Sequence, residues 1–264
     1  MSFPRQASGG YGRGDPDYNT GMHTRHPLPL FISPAQDCPY LPGRESVNIF
    51  VHPERLTNRV YSHLIARGFR RSGTYVYRPA CDDCAACISV RIPVADFRPA
   101  RRDRRCWRTN EDLRLVERPA EFDPDHFDLY RRYLAARHPG GGMDNPDPAE
   151  YMQFLTAPWS ETRFHEYRLG ERLLAVAVTD HVDDGLSAVY TFFDPDEGRR
   201  GLGNYSILRQ IDLARRLGLD WLYLGYWIAD CSKMSYKGRY RPQQRYRDGR
   251  WSETGSECGP PAGG

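Results

Sequence analysis

The sequence predicts an α+β fold, and the C-terminal half of the chain carries the observations that predict it. Three strand-like segments follow one another there, at residues 162–169, 172–182 and 186–193. The last two are joined by Asp183-Asp184-Gly185, a turn of hairpin type. A helix is predicted over 202–217, ended by Gly218, and an apolar strand follows at 221–224. A strand meander followed by a helix and one more strand is typical of the α+β class.

Apolar spacing predicts the remaining elements in chain order. A helix over 53–66 carries apolar residues at helical intervals and ends at Gly68. Short strands are predicted at 74–77 and 88–94. The elements predicted after them are a strand at 113–117 and helices over 124–137 and 148–155.

Composition divides the chain into four segments. Residues 1–24 and 251–264 are rich in Gly and polar residues without apolar periodicity, so both are predicted to be flexible tails. A boundary is predicted near residue 105, between an N-terminal Cys-containing region, 25–105, and a second domain, 106–250. A chain of 264 residues is long enough for each part to bury its own core.

The cysteine count and the hydropathy pattern indicate a compartment. Seven cysteines, an odd number, and the lack of a long uncharged apolar run predict a cytoplasmic protein without structural disulfides or a membrane partner. The net charge of +3 neither favours nor excludes a nucleic-acid partner, so any such interface has to be local.

Four cysteines are candidate metal ligands. Cys81, Cys84 and Cys87 stand at three-residue intervals directly before a predicted strand, and Cys38 is a candidate fourth ligand. Four thiolates suit zinc or an iron–sulfur cluster, and the spacing does not choose between them. The alternative is a set of reduced thiols that pack the turn before the strand.

Arginines supply a candidate phosphate-binding surface. They make up 35 of the 37 positive residues, and one run of them spans the predicted domain boundary. The candidates for phosphate contacts in this run are Arg101, Arg102, Arg104, Arg105 and Arg108. A solvated helix face with Asp103 interspersed is the alternative interpretation.

A glycine loop before the helix over 202–217 is a second candidate anion site. Gly201 and Gly203 lie between a strand and a helix, where backbone N–H groups and the helix dipole favour an anion, and Arg199 and Arg200 add charge. This loop resembles the acyl-CoA loop of GNAT-type acetyltransferases, although Gly198 stands where that pattern has Gln or Arg. A simple tight turn is the alternative.

Both lysines of the chain fall in one aromatic segment, "YLGYWIADCSKMSYKGRYRP". Lys233 and Lys237 alternate there with tyrosines such as Tyr236, a composition that suits stacking on bases and contact with phosphates. A core strand followed by a surface segment is the alternative.

Five blocks of the sequence, taken together and in this order, resemble the bacterial branch of the arginyl-tRNA–protein transferase family. They are "CPYLPGRES", "SGTYVYRPACDDCAACISVRIPV", "RRDRRCWRTN", "YTFFDPDEGRRGLGNYSILRQIDLARRLGLDWLYLGYWI" and "SKMSYKGRYRP". The resemblance covers residues 26 to 250. It implies a GNAT-type, acetyltransferase-like catalytic domain beside a smaller Cys-containing N-terminal α/β region.

The resemblance also implies a reaction. An aminoacyl group, leucine in the bacterial branch, passes from charged tRNA to the N-terminal Asp or Glu of a protein and marks that protein for degradation by the N-end rule. The implied partners are leucyl-tRNA and such proteins, and the reaction itself requires no cofactor. Members with the eukaryotic arrangement carry a Cys-rich region associated with zinc or an iron–sulfur cluster.

Roles for single residues combine this reaction with the local patterns. Asp194, Tyr190 and Lys237 are the predicted catalytic residues, and a turn role before Pro195 is the alternative for Asp194. An exposed strand position is the alternative for Arg91. The predicted substrate-binding residues are Arg78, Arg91, Gly201, Gly203, Asn204, Lys233 and Tyr236. The predicted tRNA-binding residues are the five arginines of the run together with Arg199 and Arg200.

Three other functions stay open at this stage. One is the same transfer with arginyl-tRNA as donor, because the sequence does not show the pocket that selects the amino acid. A second is a coenzyme A-dependent N-acetyltransferase that uses the glycine loop. A third is a non-enzymatic RNA-binding module held together by its cysteines.

Overall fold

The computed structural model of the chain describes residues 28–137 and 146–253. Most of the predicted 251–264 tail, the whole 1–24 tail and most of the Gly/Pro loop after residue 137 lie outside these ranges. The strands are β1 Leu30–Ile32, β2 Gln36–Asp37, β3 Glu45–Ser46, β4 Asn48–Val51, β5 Arg70–Ser72, β6 Tyr75–Pro79, β7 Ile88–Pro93, β8 Arg114–Pro119, β9 Glu161–Leu169, β10 Arg172–Val182, β11 Gly185–Phe193, β12 Trp221–Trp227, β13 Gln244–Arg247 and β14 Arg250–Glu253. The helices are α1 Asn58–Ile65, α2 Arg101–Thr109, α3 Pro124–Arg137, α4 Pro148–Leu155, α5 Leu202–Arg216 and α6 Ser232–Ser235.

One large sheet organises the fold. Its strand order is β14-β13-β7-β12-β11-β10-β9-β8, and β8 to β11 form the predicted antiparallel meander. β11 and β12 run parallel, with α5 as the connection between them. The α+β class is therefore confirmed.

The two faces of this sheet are covered by different helices. α5 packs against β7, β11 and β12 on one face through a cluster that includes Val90, Leu208 and Leu222. α2 lies beside α5. On the other face, α3 and α4 pack against β9 to β11, and α1 packs against Tyr223 of β12. The alternation of side chains along each strand places these two sets on opposite faces.

The N-terminal half contributes a second sheet of order β1-β4-β6-β5. It lies on the α1 face, because Val51 and Val76 share a core cluster with α1 and Tyr223. β7 precedes the boundary predicted near residue 105, yet it is an inner strand of the large sheet. The division of the chain at that boundary stays a prediction.

Several element boundaries differ from the predicted ones for local reasons. The helix predicted from residue 53 begins at Asn58, because the hydroxyl of Thr57 accepts the N–H of Val60 as an N-cap. The strand at 221–224 extends to Trp227. Residues 251–253, predicted to be tail, belong to β14, where the Trp251 indole donates to the Ala66 carbonyl.

Candidate active site

β11 and β12 form a fork. They pair only at Gly185 to Ser187 and Trp221 to Tyr223, although both strands continue beyond this point. Each strand also has a bulge just beyond this point, against its outer neighbour: Val189 is the extra residue of β11 opposite β10, and Leu224 is the extra residue of β12 opposite β7. A bulge bends its strand and leaves backbone groups of the extra residue out of the ladder. The fork therefore exposes carbonyl groups at its branching point.

Arg70 of β5 fills the branching point of the fork. Its Nη1 donates to the Leu224 carbonyl at 3.0 Å and its Nη2 to the Val189 carbonyl at 3.2 Å, so one guanidinium joins both bulges. The side chain crosses directly over Gly225, which has a φ of +73° and whose position would bring any Cβ into overlap with the guanidinium. Because Gly225 has no side chain, the guanidinium of Arg70 can lie directly over its backbone.

Lys237 lies buried close to the fork. Its Nζ donates to the Tyr226 carbonyl at 2.8 Å and lies 3.3 Å from the sulfur of Met234. Burial lowers the pKa of Lys237 well below its usual value, and the charge of Arg70 lowers it further. A lysine amine in this environment gives up its proton readily and can accept one from a substrate.

Tyrosines line the same region. Tyr77 and Tyr226 lie 6.0 Å apart between ring centroids, and the Tyr226 hydroxyl donates to the Tyr77 and Gly68 carbonyls. Burial raises the pKa of Tyr40, whose hydroxyl bonds Tyr77. Tyr236 is 42% exposed and offers its ring to solvent beside Lys237. These phenols stay neutral and can donate hydrogen bonds without adding negative charge near Arg70.

The four predicted metal ligands lie near one another in the structure. The pKa of Cys87 is raised to about 12, first by burial and then by Cys38, Cys81 and Cys84. Sulfurs that share a tetrahedral zinc lie about 3.8 Å apart. Among the described residues, no three of these sulfur atoms lie within 4.8 Å of one another. The residues do not fit a metal in this geometry, so metal binding stays a prediction and no chemical step is derived from it.

The arginine run forms an exposed basic face on α2. Arg101, Arg102, Arg104, Arg105 and Arg108 are all exposed, and Asp103 is buried beneath them, where it caps the helix through the Ala100 N–H. Arg101, Arg105 and Arg108 form no ion pair within the described part of the chain. Exposed arginines on one face of α2 therefore fit both interpretations of the run, a solvated helix face and a phosphate-binding surface.

The glycine loop at the start of α5 lies against α2. Gly201 caps α5 in the left-handed region with a φ of +62°, and the Cys106 sulfur of α2 lies 3.6 Å from its carbonyl oxygen. Asn204 accepts hydrogen bonds from Arg239 and Tyr240. Gly203 lies beside the ring of Phe193. The start of α5 and the loop before it thus lie in direct contact with α2.

The two arginines before this loop differ in their contacts. Arg199 is exposed, as a phosphate ligand would be. Arg200 pairs with Asp112 at 2.9 Å and with Glu197 at 3.2 Å. The prediction that Arg200 binds tRNA lacks support in this geometry, because two carboxylates already neutralise its charge.

The geometry of Asp194 matches its alternative role as a turn residue. Its buried carboxylate accepts the Asp196 N–H and pairs with Arg172 at 2.8 Å and Arg132 at 3.3 Å. Burial alone raises the pKa of Asp194, but the hydrogen bonds from Arg172 and Asp196 outweigh it and lower the value. A carboxylate held in this way is a poor base. Tyr190 is half-buried and packs among the rings of Tyr130 and Phe154, and its catalytic role stays a prediction.

The two predicted carboxylate-binding arginines both lie against aromatic rings. Arg91 lies 3.5 Å from the ring centroid of Trp221 and 4.4 Å from that of Trp251, and its Nε donates to Gln244. These contacts are at the closed end of the fork, where β11 and β12 still pair. Arg78 packs over the ring of Phe69. The binding role predicted for Arg91 does not match its position. Lys233 is exposed on α6, apart from the buried amine of Lys237.

Sequence reasoning missed Arg70, the residue at the centre of the fork. It is the first of the doublet Arg70-Arg71 in a short strand, and neighbouring strand residues point in opposite directions. Arg71 is buried against Asp180 and the Leu155 carbonyl, whereas Arg70 points into the fork. The sequence signal that could have indicated Arg70 is a pair of adjacent arginines in a short segment between Gly68 and Gly73.

Comparisons with known proteins agree with the blocks identified in the sequence. The "Arginine-tRNA-protein transferase, N terminus" family matches residues 36–105, and the "Arginine-tRNA-protein transferase, C terminus" family matches residues 125–247. The chain is 51% identical to an aspartate/glutamate leucyltransferase of Nitrosococcus oceani over 84% of this chain and 94% of that protein. It is 50% identical to one of Alkalilimnicola ehrlichii, over 85% and 95% respectively.

Similarity to solved structures is lower. The structure of L-PGS from Bacillus licheniformis aligns with a TM-score of 0.43 and 9% identity, over 54% of this chain and 47% of that one. Across the described residues, no helix is both long and apolar enough to cross a membrane. With two family matches that together span most of the chain and relatives at half identity, the chain belongs to the arginine-tRNA-protein transferase family.

Proposed function

We propose that this protein transfers leucine from leucyl-tRNA to the N-terminal Asp or Glu of other proteins, in the cytoplasm, and so marks them for the N-end rule. The names of relatives at 50–51% identity supply the donor and the acceptors. The observation that supports the proposal is the fork, because the buried amine of Lys237 bonds β12 beside it and the basic helix α2 packs on one face of the same sheet.

The catalytic fold we propose is GNAT-type. An antiparallel meander, β8 to β11, leads through α5 to a parallel strand, β12, and the two parallel strands separate after three residue pairs. This separation makes room for an extended ligand between strands that a continuous sheet would close. In this proposal, the domain has the GNAT-type topology but takes its acyl group from aminoacyl-tRNA. The resemblance of the glycine loop to the acyl-CoA loops of acetyltransferases then follows from the shared topology.

The tRNA approaches from the α2 and α5 face. The exposed arginines of α2 and Arg199 are available for phosphates, and they adjoin the loop at Gly201. Each phosphate that an arginine neutralises adds salt-dependent affinity. The 3′ end of the tRNA then reaches the open end of the fork.

The chemistry is attack by an amine on an ester. The N-terminal nitrogen forms a bond to the leucyl carbonyl carbon, the bond from that carbon to the ribose oxygen breaks, and the ribose oxygen takes up a proton. The acceptor ammonium must first lose a proton, and its ordinary pKa of about 7.7–8.0 makes this an easy step. Lys237 is the proposed base, since its buried amine has a lowered pKa. Bringing the two groups together is the main catalytic task.

A coenzyme A-dependent acetyltransferase is the second candidate, favoured by the glycine loop at the N-terminus of α5. One assay separates it from the first. The purified protein is given a peptide that begins with Asp, together with leucyl-tRNA, arginyl-tRNA or acetyl-CoA in separate reactions, and the product mass is measured. The proposal predicts addition of leucine alone. Addition of arginine or of an acetyl group would contradict it.

A further inference from the structure

Arg70 carries a positive charge that has no carboxylate partner within the described residues. Its two hydrogen bonds go to neutral carbonyls, those of Leu224 and Val189. The neighbouring Arg71 shows the usual arrangement, since its buried guanidinium is paired with Asp180. A partly buried charge without a counter-ion is unfavourable, so a position of this kind is suited to a ligand that brings the missing charge.

The guanidinium keeps donors available for such a ligand. Arginine has five N–H donors, and the contacts to the two bulges use one on each terminal nitrogen. The remaining N–H groups lie in one plane and match the two oxygens of a carboxylate. The groups around Arg70 are phenols and the Lys237 amine, whose pKa values respond to the charge of Arg70, and none of them neutralises it at neutral pH.

Arg70 reaches the fork from the side of the sheet opposite the proposed tRNA-binding surface on α2. β5 belongs to the four-stranded sheet on the α1 face, whereas α2 and the start of α5 lie on the opposite face. Phosphates bound by α2 and an anion bound by Arg70 therefore reach the fork from opposite sides. This leaves the Arg70 side for the second substrate, the acceptor.

We infer that Arg70 binds the side-chain carboxylate of the N-terminal Asp or Glu of the acceptor and thereby selects acidic acceptors. The inference rests on the proposed leucyl transfer and names the specificity residue of the same site. An N-terminal Asp carries its amino group and its carboxylate on neighbouring carbon atoms. A carboxylate on Arg70 therefore places the amino group close to the leucyl ester at the fork and to Lys237.

The primary test compares acceptors that differ only in charge. Leucine transfer to peptides that begin with Asp or with Asn is measured as kcat/KM for the wild-type protein and for Arg70→Gln, Arg70→Lys and Arg67→Gln. Loss of one partner of a desolvated charge pair predicts a fall in the Asp-to-Asn preference of roughly 30-fold or more in Arg70→Gln. Arg70→Lys should restore part of this preference. Arg67 is exposed, and within the ranges that the structure describes its side chain bonds the His63 carbonyl alone, so its variant should keep the wild-type preference.

Two results would overturn the inference. One is an equal loss for both peptides in Arg70→Gln, which would mean that Arg70 only supports the fork. The other is a loss of leucyl-tRNA retention on filters by Arg70→Gln with an unchanged preference, which would assign the arginine to a phosphate of the donor. If the wild-type protein adds no leucine to the Asp peptide, the proposed function itself is wrong.

A measurement on the wild-type protein does not depend on how the variants fold. Phenylglyoxal modifies accessible guanidinium groups, and mass spectrometry follows the rate at Arg70. The Asp peptide should slow this modification, and the Asn peptide at the same concentration should not. Equal rates with both peptides would contradict carboxylate binding, whether or not transfer is observed.

Discussion

Lys237 donates its Nζ hydrogen to the carbonyl oxygen of Tyr226 at a distance of 2.8 Å. The side chain is buried, and within the described ranges it has no carboxylate partner. Most buried lysines are paired, because an isolated ammonium is costly away from water. Burial without such a partner lowers the pKa of Lys237 and favours its neutral amine.

The stability of the protein should depend on pH through Lys237. Burial lowers its folded pKa, so the unfolded chain binds one more proton between that value and the ordinary lysine pKa of about 10.4. The free energy of unfolding should therefore rise with pH across this interval, and Lys237→Met should remove the rise. Urea unfolding of both proteins from pH 6 to pH 10 measures this difference. Lys233→Met is the matched control, since Lys233 is exposed. Parallel curves for the wild type and Lys237→Met would contradict the prediction.

Affinity for tRNA should depend on salt through the α2 arginines. If Arg101, Arg105 and Arg108 contact phosphates, the triple change to Gln should weaken binding and reduce the slope of log K against log salt by about 0.7–0.9 for each lost contact. Filter binding of leucyl-tRNA at several salt concentrations gives the slope. A control with Arg55, Arg59 and Arg67 changed to Gln removes the same charge from the α1 side, and it should keep the wild-type slope. Equal slopes for both triple variants would contradict the assignment.

Glu166 should stabilise the fold only above acidic pH. Burial alone would raise the pKa of Glu166, but the hydrogen bonds from Arg168 and His126 outweigh it and lower the value to about 2. The stabilisation is complete above the unfolded pKa of about 4.3 and is lost as pH falls through the folded value. Glu166→Gln should therefore be less stable than the wild type at pH 7, with a gap that closes toward pH 2. Thermal unfolding across this range tests it, and a gap that stays constant with pH would refute the linkage.

The thiol of Cys87 should react slowly. Burial and the nearby thiols raise its pKa to about 12, so at pH 8 the thiolate fraction falls by on the order of 100-fold or more relative to an unperturbed cysteine. Alkylation by iodoacetamide, followed by mass spectrometry, should be slower at Cys87 than in a short peptide of sequence CAACIS. Equal rates in protein and peptide would contradict the burial of the thiol. Release of zinc or iron during the reaction would support the metal prediction.

The sequence predicted the meander and α5 well because their signals are local. Runs rich in apolar and β-branched residues mark β10 and β11, and the turn at Asp183 to Gly185 appears in the structure where the sequence predicts it. The helices over 124–137 and 148–155 match α3 and α4 residue for residue. Periodicity and capping depend on neighbours in the chain, so they can be read without the fold.

The centre of the site could not be predicted in this way. Arg70 and Leu224 are 154 positions apart in the chain and meet only when the four-stranded sheet packs beside β12. Asp194 was a reasonable catalytic candidate at a strand end, but Arg172 and Arg132, which neutralise it, come from two other elements. Strand alternation predicts the side of the sheet on which the Arg91 side chain lies. It does not predict the two tryptophans whose rings contact the guanidinium. Each of these relationships depends on partners that come from other elements of the fold.

The most direct test of the account is a structure of the protein with both substrates in place. The donor is an acceptor-stem RNA whose terminal leucine is joined by an amide, which does not transfer, and the acceptor is a peptide that begins with Asp. The account predicts the leucyl carbonyl at the open end of the fork between β11 and β12, with the RNA backbone on α2 and the Asp carboxylate on Arg70. A leucyl group bound outside the fork, with Arg70 and Lys237 touching neither substrate, would contradict it.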